Sequence, residues 1–561
     1  MTELSKDDIR NAAAEVLAVA PETITDSANL ITVGMDSIRM MRLAGGWRRT
    51  GSAVTFRQLA EDPTVERWHA LLTAHRAAPQ DITSQDTASR DTTPQDTAPP
   101  AVDTERPPVD AAAPFALTPV QRAYWIGRSE GMALGGVGCH AYLELDGTAI
   151  RPDRLETAVR RVLARHGMLR ARFLDDGRQQ ILPLSPWPGL RVHDVTASGT
   201  DKAEQHLEEL RASLSHRVLD VAAGEVFDVQ LSLLPGGATR IHVNIDLLVA
   251  DVASIELVLA DLATAYADPE GLAVEPGYGF PRYLDDYRAW CGTPGAADSP
   301  LAVAREFWRG KLSELPLSGP ALPLAVRPED VTKPVFSRRG FLLDAADWER
   351  VTRRAREHRL TSAMVLATAY AEVLGAWSTE RDFLLNVPLF DRQPLDPAVN
   401  GMVADFTNLV LLRVDVRQPL PFAERVRDLQ RQLQENASHA QYSTLSVLQD
   451  LRRANGGKRA AAPVVFACNL GSAFVRPEVR AELGEWNWML SQTPQVWLDH
   501  QVYKIGGSVL LAWDAVDELF PAGLLDDMLR SYRRLLTALA DEDNDWSEPA
   551  AVSTAGVPAQ P

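Results

Sequence analysis

Asp246-Leu247-Leu248-Val249-Ala250-Asp251, with Ser254 just beyond, sets two carboxylates where an alternating strand pattern gives way to a helical one. Two acids at such a junction can act as an acid/base pair, one giving and one taking a proton. The spacing also suits architecture. Asp251 can cap the helix expected from Ser254 to Tyr266, and Asp246 can be held by backbone N–H groups or by an arginine. A second chemistry is written at Gly34-Met35-Asp36-Ser37-Ile38. Asp36 suits an N-cap, and Ile38 and Met41 open an apolar face, so Ser37 falls at a helix N-terminus. Free N–H groups and the helix dipole favour a phosphate there, although Asp-Ser also starts many helices with no ligand.

Other chemistries are missing from the pattern. No G-x-S-x-G elbow, P-loop or metal-ligand cluster occurs in the body of the chain, and none of its 11 histidines adjoins another. The three cysteines, Cys139, Cys291 and Cys468, lie far apart without C-x-x-C spacing, which suits a reducing compartment and argues against structural zinc. The 561 residues carry 57 Lys+Arg against 75 Asp+Glu, a net charge of −18 that disfavours nucleic acid as a partner. Leu247–Leu262 is interrupted by Asp251, Glu256 and Asp261, so no membrane span is expected there. Met1–Arg10 shows no secretory signal pattern. A cytoplasmic, multidomain protein is expected.

The elements that position these residues fall into a head, a tether and a body. Residues 1–75 read as a small all-α bundle: Ile9, Ala13, Val16 and Leu17 share a helical face, and Val65, Trp68 and Leu72 another. Thr55 with Gln58 suggests a capping box, and Asp62-Pro63 an N-cap followed by proline at N1. Residues 76–113 hold near-repeats (QDITS, QDTAS, RDTTP, QDTAP) that cannot bury enough surface to order themselves, so a flexible linker is expected. The segment 541–561, rich in Asp, Ala and Pro, reads as a second linker. In the body, Phe227–Leu233 and Ile241–Ile245 alternate around Pro235-Gly236-Gly237, a hairpin signal. A helix near Met364–Trp377 and strands near Leu409–Val416 and Val464–Phe466 point to two α/β lobes, 114–285 and 286–540.

The head, from Asn29-Leu30 through Gly34–Met41 to Thr55-Phe56 and Leu59, resembles the carrier proteins of nonribosomal peptide synthesis. Within that group it is most similar to the aryl carrier proteins of siderophore assembly lines, with Met35 in place of their usual leucine. The resemblance implies a 4′-phosphopantetheine arm on Ser37 that holds an aryl acid, salicylate or 2,3-dihydroxybenzoate. In the body, Phe115–Arg128, Arg165–Arg170 (with Gly167 a departure), Asp246-x4-Asp251-x2-Ser254, Leu360–Trp377, Asn386–Arg392, Ala404–Leu409 and Gln492–Gln501 occur in the order found in heterocyclization domains. These are relatives of condensation domains that close thiazoline or oxazoline rings. The resemblance implies two chloramphenicol-acetyltransferase-like lobes and condensation with a cysteinyl (or Ser/Thr) thioester, followed by loss of water. It also implies a proton-transfer role for Asp499, partnered by a threonine.

That threonine is absent. Pro463-Val464-Val465-Phe466-Ala467-Cys468 places Ala467 at its position, and alanine has no side-chain hydrogen bond to offer. Cys468, Gln495 or an ordered water can substitute, or cyclodehydration has lapsed and the body only condenses. A third reading makes the body a docking scaffold beside a working carrier. The resemblance further implies a phosphopantetheinyl transferase, an aryl-acid adenylating enzyme, and a downstream adenylation domain with its cysteine-loaded peptidyl carrier protein as partners.

Overall fold

In a computed structural model, residues 4–552 are described except 18, 34, 36–39, 41–42, 44–46, 48–53, 55–57, 60–61, 75–111, 274–276, 294, 297 and 459. Apolar spacing in the head closes a small helical core. Ile9, Ala13 and Leu17 of the helix Lys6–Leu17 bury against Leu30, Trp47, and Val65, Trp68 and Leu72 of the helix Val65–Ala74. The Trp47 and Trp68 rings meet edge-on at 5.4 Å. The last helix is capped by Thr64 and not by Asp62: Arg67 N–H donates to Thr64 Oγ1 at 3.2 Å. The helix starts two residues later than Asp62-Pro63 suggests because the Thr64 hydroxyl supplies the capping oxygen. Ser37, the Thr55 capping box and nearly all of the tether lie outside the described residues.

The first half of the body supplies β1 (Phe115–Ala116), β2 (His140–Thr148), β3 (Ala171–Phe173), β4 (Arg178–Ile181), β5 (Arg191–Asp194), β6 (Phe227–Leu233) and β7 (Ala238–Asp246). The second half supplies β8 (Phe336–Leu343), β9 (Asp382–Phe390), β10 (Thr407–Asp415), β11 (Val464–Ala473), β12 (Glu485–Gln492), β13 (Leu498–Ile505) and β14 (Ser508–Val516). They form a three-stranded sheet β1-β4-β3, a five-stranded sheet β12-β2-β7-β6-β5 and a six-stranded sheet β10-β9-β11-β13-β14-β8. The expected hairpin is present: β6 and β7 pair antiparallel, and Gly236 and Gly237 turn between them with φ of 72° and 82°.

Each large sheet has its own core. Leu143, Leu145, Val229, Ile241 and Val243 share one with the helices Pro152–Arg165 and Val252–Ala267. Polar residues that alternate with them are buried as well; Glu144 and His242 are paired, whereas the Asn244 amide has no partner among the described residues. Arg211 forks onto both Glu144 oxygens at 2.9 and 2.6 Å, and Tyr142 donates to Glu144 at 2.7 Å. Burial holds His242 neutral, with a pKa near 3, between Tyr142 and Ser232. The second core joins the six-stranded sheet to the helices Ala345–Glu357, Ser362–Trp377, Phe422–Ala437 and Leu524–Ala540. Among the described residues no single helix is long and apolar enough to cross a membrane.

Two features depart from the sequence reading. β12 belongs to the second half of the chain but adds to β2 of the first, Leu490 opposite Tyr142, so the lobes do not divide cleanly at residues 285 and 286. The stretch 541–552 is docked rather than a linker. Trp546 is 1% exposed, lies under the Arg354 guanidinium at 4.9 Å, and meets Phe422 edge-on at 5.4 Å. One large aromatic ring outweighs the polar composition around it. Gly484 turns the chain into β12 with φ of +116°, and a Cβ there would sit 2.1 Å from the Asp146 carbonyl oxygen. Gly484→Ala is expected to destabilise by about 2 kcal/mol or more through backbone strain. A thermal melt matching wild type would show that this turn does not fix the crossing.

Candidate active site

The helix Pro119–Gly127 is set by a reciprocal cap: Thr118 Oγ1 accepts from Gln121 N–H at 3.0 Å, and Gln121 Oε1 accepts from Thr118 N–H at 2.9 Å. This helix is where several expected residues are met. Arg128, just past its end, pairs with Asp246 at 3.0 Å. Gln495, in the left-handed region at φ +64°, donates to the Gly127 carbonyl at 2.7 Å. Burial, and then the charges of Cys139, Asp405, Asp499 and Asp251, push the pKa of the Tyr124 hydroxyl well above the usual range.

Asp246 has both carboxylate oxygens engaged in holding the fold, and Asp251 has one, its Oδ2 being without a partner among the described residues. Asp246 ends β7 with its side chain fully buried; Oδ2 takes Arg128 and Oδ1 accepts from Leu248 N–H at 3.1 Å. Burial still raises its pKa against the pull of Arg128. Asp251 caps the helix Val252–Ala267, accepting from Ser254 N–H at 2.7 Å, and receives Arg392 at 2.8 Å. Arg392 follows β9, so this pair ties the second half of the body to the first. The same guanidinium donates to Ser254 Oγ and to the Met402 carbonyl, each at 2.7 Å, and lies over the Phe406 ring at 4.3 Å.

Asp499 is placed differently. It sits mid-sheet on β13, 6% exposed, between Val465 of parallel β11 and Asp514 of antiparallel β14. Its Oδ2 accepts from the Gln501 side-chain amide at 2.8 Å, while Oδ1 has no partner among the described residues. Burial, and then the nearby Asp514 charge, raises its pKa to about 7 against the Gln501 hydrogen bond and Arg338. Such a carboxyl is poised to give or take a proton at neutral pH. Gln501 Oε1 accepts from Arg338 at 2.9 Å and from the Tyr503 hydroxyl at 2.8 Å. Arg338 in turn forks onto Asp514 at 2.7 and 2.6 Å.

Strand alternation separates Cys468 from this group. Val465 and Ala467 pair with Asp499 and Gln501 and share their face, whereas Cys468 pairs with Val502 and packs into the core of the six-stranded sheet. Gln495 is turned toward the Gly127 and Ala133 carbonyls. Neither therefore stands in for the missing threonine hydroxyl. The group in contact with Asp499 is Gln501, quoted in the sequence pattern without a role. Asp405 was missed in the same way: 1% exposed, it accepts from Thr407 N–H at 3.0 Å, and burial raises its pKa to about 7. Arg128 and Arg392 also lay inside recognised motifs, but Arg338 and Asp514 had no signal beyond their strand positions.

Ser37 is flanked in sequence by Met35 and Met40, both 2% exposed in the head core. Ser37 itself lies outside the described residues; a serine supplies the hydroxyl that a phosphodiester-linked arm requires.

Comparison with known proteins agrees with this architecture. The Phosphopantetheine attachment site family matches residues 7–72, and the Condensation domain family matches residues 113–483. The chain is 42% identical over 553 residues to pyochelin synthetase PchE of Pseudomonas aeruginosa, covering 98% of this chain and 36% of that protein. It is 41% identical over 552 residues to phenyloxazoline synthase MbtB of Mycolicibacterium paratuberculosis, covering 97% of this chain and 44% of that protein. The chain thus spans less than half the length of either relative. The EpoB cyclization-docking bidomain of Sorangium cellulosum superimposes with a TM-score of 0.71 at 33% identity, covering 80% of this chain and 89% of that one. With a helical phosphopantetheine-bearing head ahead of a two-lobed α/β body, the chain belongs to the condensation-domain family of nonribosomal peptide synthetases, in its cyclization branch.

Proposed function

We propose that the chain is the aryl-carrier and heterocyclization portion of a synthetase, with Ser37 bearing the phosphopantetheine that holds salicylate or 2,3-dihydroxybenzoate. The body joins that acyl group to a cysteinyl (or Ser/Thr) residue on a downstream carrier and closes an aryl-thiazoline or oxazoline. The observation that carries this reading is the buried Asp499 carboxyl, with one oxygen fixed by Gln501 and the other without a partner among the described residues. Likeness to a phenyloxazoline synthase, whose name denotes an oxazoline ring bearing a phenyl group, supports an aryl donor and ring closure. The reading divides the chain into a head to residue 75, a tether to 113 and a two-lobed body. It brings in a phosphopantetheinyl transferase, an aryl-acid adenylating enzyme, and a downstream adenylation domain with its cysteine-loaded carrier. The reading also places the chain in the cytoplasm, in keeping with three cysteines that lie far apart in sequence without C-x-x-C spacing.

When bound, the phosphopantetheine supplies the thiol that presents the acyl group. Ring closure falls to the chain's own residues. The side-chain sulfur of the new amide adds to the amide carbonyl carbon as its S–H bond breaks, and the thiol proton passes to the carbonyl oxygen, which becomes a hydroxyl. That hydroxyl leaves as water after gaining a proton, while the ring nitrogen gives up its own proton and a C=N bond forms. Asp499 gives the first proton from Oδ1 and takes back the second, ending as it began. Asp246 and Asp251 hold elements in place and move no proton.

The test is product mass. The holo chain loaded with salicylate, given a cysteinyl-loaded acceptor carrier, is expected to leave on the acceptor a product one water lighter than the salicyl-cysteinyl amide. Peptide mapping is expected to find the arm on the segment containing Ser37. Amide at full mass would mean condensation with a lapsed second step, the outcome Ala467 favours. No transfer from a verified loaded head would favour a docking scaffold.

A further inference from the structure

We infer that the Gln501 side-chain amide is the positioning group for Asp499, supplying the hydrogen bond that Ala467 has no side chain to make. This rests on the ring-closing role proposed for Asp499. In the parallel pairing of β11 and β13, Ala467 lies directly opposite Gln501, and both share the face of Asp499. A strand slip of one residue would turn Gln501 away, so the register itself delivers the substitute.

The amide has only one productive orientation. Arg338 is a donor without any acceptor, so it can meet only the Gln501 oxygen. The Tyr503 hydroxyl donates to the same oxygen. With both approaches to Oε1 filled, the NH2 group is left pointing at Asp499 Oδ2, 2.8 Å away. Arg338 is itself fixed by its fork onto Asp514, which also accepts from Ser491 N–H at 2.9 Å. All of these side chains are buried. The chain Asp514–Arg338–Gln501–Asp499 thus runs across three adjacent strands, and it engages one carboxylate oxygen of Asp499 and leaves Oδ1 for substrate. Gln501 carries no titratable proton, so its action is confined to aiming Asp499 and stabilising its charged form.

This role has a signature that a purely structural one lacks. A donor to the carboxylate favours ionisation, so removing it moves the limb of the pH profile governed by Asp499 toward higher pH. Gln501→Met keeps length and volume but removes both amide functions. In the salicyl-loaded holo chain with a cysteinyl-loaded acceptor, Gln501→Met is expected to retain amide formation and to lose about 10- to 100-fold in ring closure, as for one hydrogen bond to a charged group. Its pH limb should move upward. The double variant Gln501→Met/Ala467→Thr restores a hydroxyl on the same face and is expected to recover at least half of that loss on a logarithmic scale.

An unmoved pH limb together with no recovery in the double variant would overturn the inference. Amide formation falling in step with ring closure would do the same, because that marks general damage. Should Gln501→Met fail to fold in a thermal melt, Tyr503→Phe decides. It removes one of the two donors that orient the amide, and a limb shift in the same direction supports the inference while an unchanged limb overturns it. Wild type is run alongside, and if it makes no ring, the proposed function fails and not this assignment alone.

Discussion

Asp499→Asn is expected to leave amide formation close to wild type while slowing ring closure by about 10²- to 10⁴-fold, the range for a lost general acid–base group. Uncyclised amide then accumulates on the acceptor carrier and is seen by mass. The substitution is gentle structurally. Asparagine keeps an oxygen for the Gln501 amide, and the β13 pairings to β11 and β14 involve only backbone. It removes only the proton that a carboxyl with a pKa of about 7 exchanges at neutral pH. A second effect has the opposite sign. The folded-state pKa lies above the ordinary 3.8, so the folded chain holds a proton that the unfolded chain releases between about pH 4 and 7. The stability linked to that proton is fully present below pH 4 and lost as pH rises through 7. An amide never ionises and escapes that loss. The variant's melting temperature relative to wild type should therefore be higher at pH 8.5 than at pH 5.5. Unchanged ring closure would remove Asp499 from the mechanism, whatever the melt shows.

Arg392→Leu is expected to be the most damaging change away from the reacting group. It leaves the fully buried Asp251 side chain without its cation, a situation that typically destabilises by about 3–5 kcal/mol. It also removes the donors to Ser254 Oγ and the Met402 carbonyl, and the stacking on Phe406. Because these contacts join the two halves of the body, amide formation and ring closure should fall together, unlike the split expected for Asp499→Asn. Arg392→Lys keeps the charge but cannot fork, so an intermediate loss is expected. Differential scanning calorimetry checks the stability and product mass the activities. A melt matching wild type would show that the Asp251–Arg392 pair does not hold the junction.

What could be read in the sequence was local. The β6–β7 hairpin was legible because alternation and a Pro-Gly-Gly turn sit within twenty residues, and the helix at 252–267 because its apolar spacing is continuous. The destination of β12 was not, since an alternating run does not say which sheet it joins. Docking of Trp546 depends equally on distant residues, Arg354 and Phe422. At the site, Asp499 stood out only through resemblance to a family, and the face on which Cys468 or Gln501 lies is fixed by pairing with a strand some thirty residues away. Arg338 and Asp514 are 176 positions apart, and no spacing rule connects them. Capping was legible in kind but not in position, as Thr64 in place of Asp62 shows.

The crossing of β12 has a consequence for how the chain is made. β2 leaves the ribosome with Thr148, but the strand that covers its outer edge begins only at Glu485. At about 5–20 residues per second, tens of seconds pass with that edge open. Throughout that interval β2 offers unpaired backbone groups to any neighbouring strand, including the same strand of another nascent chain. Slowing synthesis between β7 and β12, or cutting the gene before β12, should therefore shift the product from soluble protein toward aggregate, and supplying Glu485–Gln492 as a separate peptide should protect it.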